Sequence, residues 1–137
     1  MKNIFAFLLL FLFTSAIRAS GYEIIFCTKL DSIGRCKGKA DEFTWNGDKM
    51  QLLSVVKNKS KLKTTKLNYK VFLMKNDHDG ELAAELTAHT KTYWSSAVKK
   101  IYFFKPGYYK IDVYDATNKL IVTGFVTITE REIKKES

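Results

Sequence analysis

Period-two alternation is the feature that most restricts what this chain can fold into. In "KLNYKVFLM", Leu67, Tyr69, Val71 and Leu73 fall on one side and Asn68 and Lys70 on the other, the pattern of a half-buried strand. "GYYKIDVY" repeats it, with Tyr109, Ile111 and Val113 on one side and Tyr108 and Tyr114 on the other. The polar turn "DATNK" then leads into "LIVTGFVTI", which is nearly apolar on both faces, as a strand inside a sheet is. "YEIIFC", "MQLLSVVK" and "VKKIYFF" are shorter β-branched or aromatic runs bounded by polar or glycine-bearing turns. With a single proline, Pro106, and few helix caps, the pattern predicts an all-β chain.

Residues 81–90 argue against it, because "ELAAELTAHT" is rich in Ala, Leu and Glu, the strongest helix formers. The same residues also alternate, with Leu82, Ala84, Leu86 and Ala88 opposite Glu81, Glu85, Thr87 and His89. The Asp-Gly dipeptide at Asp79 and Gly80 follows a strand directly and usually delivers a hairpin partner. Pattern is therefore preferred to propensity, and 81–90 is read as a strand.

The first nineteen residues read as a cleaved signal peptide: Lys2 supplies a positive start, an apolar run extends from Ile4 to Phe13, and small residues follow. The apolar run is too short for a spanning helix, which needs about 20 apolar residues. The remainder, 20–137, has the length of one domain, able to bury about 65% of its unfolded surface. The net charge of +9 falls by the two positive charges of Lys2 and Arg18 to +7. A basic exported domain drifts toward anionic surfaces. Cys27 and Cys36 are the only cysteines, and an oxidising compartment favours pairing them. No cofactor and no metal site is expected, since neither the Cys spacing nor that of His78 and His89 fits a zinc pattern.

"Lys105-Pro106-Gly107-Tyr108-Tyr109-Lys110-Ile111" resembles the start of the penultimate strand in immunoglobulin-like sandwiches. The resemblance implies that Gly107 turns a corner and that Tyr109 is the corner tyrosine, its hydroxyl bonded to backbone upstream. Ile111 would take the place of the second inter-sheet cysteine. The inter-sheet cysteine pair is missing, and Tyr69 or Val71 stands where the third strand of antibody domains carries Trp. The implied fold is a single immunoglobulin-like antiparallel β-sandwich of about seven strands. Fold likeness brings no function with it.

Three patterns invite a ligand. "KNKSKLKTTK" carries Lys57, Lys59, Lys61, Lys63 and Lys66; in an extended chain the first four point the same way, about 7 Å apart. The preferred reading is a solvated turn that keeps an edge from pairing, with a rail for an anionic polymer as the alternative. Trp45 and Trp94 sit in polar segments, "FTWNGD" and "TYWSS", where flat rings stack on sugars, anchor a protein or plug a loop. "KNDHDGE" crowds Asp77, Asp79 and Glu81. An EF-hand with Gly80 sixth would need acids where Lys75 and Leu86 stand, so the expectation is an ordinary hairpin loop, with an unclassified calcium loop as the alternative.

No nucleophile elbow, phosphate-binding glycine loop or HExxH motif is present. The expectation is a non-catalytic binding or interaction domain, secreted or periplasmic. Its alternatives are a carbohydrate- or polyanion-binding module that uses the lysines and aromatics, and an accessory subunit of an envelope or surface assembly. The partners expected are a protein or an anionic glycan or cell-surface polymer, and not nucleic acid.

Overall fold

Each alternating run is a strand in the computed structural model, which describes residues 21–130. The expected signal peptide and the outermost residues of the domain, 20 and 131–137, lie outside the described residues. Ten strands follow in chain order: β1 (Tyr22–Cys27), β2 (Lys29–Leu30), β3 (Cys36–Lys37), β4 (Glu42–Thr44), β5 (Met50–Asn58), β6 (Lys66–Met74), β7 (Gly80–His89), β8 (Ser96–Phe103), β9 (Gly107–Tyr114) and β10 (Leu120–Thr129). Seven of them have six residues or more, which matches the strand count read from alternation.

All but β2 and β3 form two sheets, β1-β5-β8 and β4-β10-β9-β6-β7. Every pair is antiparallel except β4 with β10, a three-residue parallel ladder from Thr127–Glu42 to Thr129–Thr44. Alternation then does what the pleat requires. Leu52 and Val56 of β5, Ala97, Ile101 and Phe103 of β8 and Phe26 of β1 meet Leu67, Tyr69 and Val71 of β6, Ile111 and Val113 of β9, and Val126 and Ile128 of β10 in one buried cluster. This is an immunoglobulin-like β-sandwich. Tyr69 is the largest fully buried side chain among the described residues.

β10 lies inside its sheet, between β9 and β4, which accounts for its two apolar faces. At Gly124 the two sheets come close: a Cβ there would stand 2.6 Å from Ile24 Cγ2 and 2.9 Å from Phe26 Cε2 of β1. The missing side chain lets β1 pack across β10 and close that flank of the sandwich.

β7 is a strand despite its helix formers, because it pairs along its length with β6, from His89 opposite Lys66 to Gly80 opposite Met74. One detail of its expected alternation is corrected. The register slips between Val71 and Phe72, so that Val71 faces Ala84 whereas Phe72 faces Leu82. The extra residue moves Leu82 off the face shared by Ala84, Leu86 and Ala88. Leu82 is 49% exposed, while those three pack against the core.

Cys27 and Cys36 are bonded, with their Cα atoms 5.7 Å apart. The bridge ties the end of β1 to the small β2–β3 hairpin. Asp31 shapes the turn of that hairpin, accepting from the backbone N–H of Ile33 (3.0 Å) and Arg35 (2.8 Å) and from Arg35 Nε (3.0 Å).

Candidate binding surface at the lysine-bearing end

Strand register sorts the loops between two ends. Tyr22 pairs with Asn58, Lys57 with Ser96, Lys66 with His89 and Leu120 with Tyr114. One end therefore gathers the β5–β6, β7–β8 and β9–β10 connections. The opposite end gathers the disulfide, the β6–β7 and β8–β9 turns and the segment after β4.

At the first end two connections are laced together by backbone. Asn58 N–H donates to Ser95 O (2.9 Å), Leu62 N–H to Trp94 O (2.7 Å) and Lys63 N–H to Thr92 O (3.0 Å). Leu62 is the pivot. Its side chain is fully buried as a plug on the core, and its carbonyl accepts the Tyr22 hydroxyl. Burying Leu62 turns its neighbours outward, and all four of Lys57, Lys59, Lys61 and Lys63 are exposed. The loop floor is pinned through Thr64: its Oγ1 donates to Lys66 O (3.0 Å) and accepts from Ala116 N–H (2.9 Å), while its carbonyl accepts from Thr90 Oγ1 (2.6 Å).

The rail is corrected in its geometry. Regular extension ends at Asn58, where Lys61 N–H closes a turn onto Asn58 O at 3.1 Å. Lys61 and Lys63 then take left-handed backbone, with φ of 74° and 58°. The lysines therefore form a curved cluster around the end of the sandwich, with no even 7 Å repeat.

The aromatic candidates separate. Trp94 is 39% exposed and Tyr93 67% exposed, both on the connection hydrogen-bonded to the lysine loop. Lys91, exposed on the same connection, adds a fifth cation. Trp45 lies at the other end, its backbone N–H donating to Thr129 O at 2.7 Å and its side chain packed against the core. The structure thus brings Lys57, Lys59, Lys61, Lys63 and Trp94 together and leaves Trp45 apart. Lys91 is the member that sequence reasoning missed, because no local pattern joins it to a loop some thirty residues earlier.

Gly107 and Tyr109 stand at the opposite end. The Tyr109 hydroxyl donates to Lys105 O at 2.8 Å, and its ring meets Phe103 edge-on at 4.7 Å. Burial raises the pKa of this phenol. Asp77, Asp79 and Glu81 are exposed in and beside a turn organised by Asn76, whose Oδ1 accepts from the N–H of His78 and of Asp79, each at 2.8 Å.

No family model matches the chain, and no curated protein matches it at significance. Its likenesses are structural. An immunoglobulin-like protein of Pseudomonas aeruginosa superposes with a TM-score of 0.50 at 14% identity, over 82% of this chain and 95% of that one. The CARDB domain of a Pyrococcus furiosus protein gives 0.42 at 14% identity, over 82% and 92%. A β-glucosidase of Listeria innocua gives 0.42 at 13% identity, and the chain spans only 16% of its length. At such identities the likeness concerns the fold alone, and the fold is immunoglobulin-like.

Proposed function

We propose that this chain is a non-catalytic binding module, acting outside the cytoplasm, that holds an anionic polymer on its lysine-bearing end. The observation that carries the reading is the backbone lacing of 58–63 to 92–95, which fixes the loop of Lys59, Lys61 and Lys63, with Lys57 at the end of β5, beside the connection that bears Trp94. Clustered cations on a charged domain raise the local concentration of a polyanion and speed its capture. An exposed indole beside them offers a face on which a sugar ring can stack. Export is supported by the layout of residues 1–19 and by the bonded cysteine pair, which suits an oxidising compartment. No helix long and apolar enough to cross a membrane is found among the described residues.

A basic protein adheres weakly to any anionic support, so the test compares sites rather than charges. Retention on immobilised heparin or dextran sulfate, fading as salt rises, is expected to collapse when Lys57, Lys59, Lys61 and Lys63 become Ala. Replacing Lys29, Lys37, Lys39 and Lys49 removes the same charge elsewhere and should shift elution far less. Trp94→Ala should weaken binding to a sulfated glycan more than to polyphosphate. Equal losses from the two lysine sets would leave only net charge and overturn the reading.

A further inference from the structure

The β7 edge is the longest edge of the sandwich among the described residues, against six residues for β1, eight for β8 and three for β4. It ends the five-stranded sheet and runs for ten residues. Natural edges of that length are usually blunted by lysine, proline or shortness. β4 is three residues long and β8 carries Lys99 and Lys100, whereas β7 has neither lysine nor proline and only its single bulge. Its charge is also the reverse of the molecule's. Asp77, Asp79, Glu81 and Glu85 fall between Asn76 and Thr90 with no Lys or Arg among them, in a chain of net charge +9.

Beside this edge the two sheets leave an apolar seam. A cleft of about 260 Å³ is lined by Leu73 and Ala84 on one sheet and by Phe103 and Phe104 on the other side, with Glu81 and Lys105 as its charged members. Phe104 is 73% exposed at its rim. A strand added to β7 would send alternate side chains toward this seam, and the others over the outer face beside Glu85.

We propose that β7 is a docking edge for an extended segment of another protein in which apolar residues alternate with basic ones. Backbone pairing would supply affinity, the seam would take the apolar side chains, and the acidic edge would select for cations. A second copy of this chain fits less well. Two β7 strands paired antiparallel about Ala83 would set Glu81 of each against Glu85 of the other, and like charges directly opposite repel.

The probe is a fluorescent ten-residue peptide of alternating valine and lysine, titrated into the protein and compared with a valine–glutamate peptide of equal length. Net charge alone favours the glutamate peptide, which the lysine-bearing end would also attract, so the expected preference for the lysine peptide cannot come from the surface proposed above. Binding should protect β7 amides from hydrogen exchange. It should fall about tenfold in a Glu81→Lys, Glu85→Lys variant, and should persist when Lys57, Lys59, Lys61 and Lys63 are Ala. N-methylation of alternate peptide amides should abolish it in one of the two possible registers. A preference for the glutamate peptide, protection away from β7, or an unchanged charge-reversed variant would overturn the proposal. So would sedimentation showing a dimer whose β7 amides are already protected.

Discussion

The hydroxyl of Tyr69 lies between the sheets and is the single buried side-chain polar atom without a hydrogen-bond partner among the described residues. Its neighbour Ser54 donates its own proton to Lys99 O at 2.9 Å, and the Ser54 oxygen offsets a little of the burial at the phenol without reaching hydrogen-bond geometry. Tyr109, in the same core, sends its hydroxyl to Lys105 O. One substitution should therefore have two signs. Tyr69→Phe removes an unmet polar group and should leave stability unchanged or raised by up to about 1 kcal/mol, while Tyr109→Phe should cost about 0.5–1.5 kcal/mol. Urea unfolding of the two variants measures both. Burial raises both phenol pKa values above the ordinary 10.0. The neutral phenol is then the form the fold prefers, so this stability is complete below pH 10 and is lost as pH climbs through the raised values. Tyr69→Phe should flatten the alkaline decline. Only the every-second-residue spacing of Leu67, Tyr69 and Val71 was needed to place Tyr69 inside. What its hydroxyl would meet depends on Ser54, which a different strand brings beside it.

Among the elements, those with a strong repeat were the ones legible beforehand. β6 and β9 repeat inward residues over eight or nine positions, and a pleat leaves such a pattern one solution. β4 has three residues and earns its place only through Thr127–Thr129 of β10, so nothing local announces it. The bulge in β7 was hidden for a similar reason: alternation cannot report where a partner strand slips by one. Two predictions belong at this scale. Gly124→Ala puts a methyl against Ile24 and Phe26 and should cost about 1–3 kcal/mol, since neither neighbour can yield without disturbing the packing. Chemical denaturation of the variant against the parent checks it. Replacing Cys27 and Cys36 together by Ala frees a loop of about ten residues and should cost about 2.7 kcal/mol on the chain-entropy account. That loss should appear in the unfolding midpoint and leave elution from heparin unmoved, because the bridge lies at the end away from the lysines.

For the whole molecule, the sandwich class was readable because two-sided burial of alternating strands has few solutions. Of the candidate surface, the lysines were readable and their company was not. Trp45 and Trp94 look alike in sequence, each in a polar segment beside an aromatic neighbour. Register puts one at the sealed base and the other among the cations, and register is a property of pairs. The same topology governs how the domain can be presented. Gly21 and Tyr22 enter beside Asn58 and Leu62, whereas Thr129 leaves beside Trp45. Anything joined ahead of Gly21, whether a tether, a tag or a neighbouring module, would crowd the cationic crown, while an attachment behind Thr129 would hold the domain by its foot and leave that crown open to the medium.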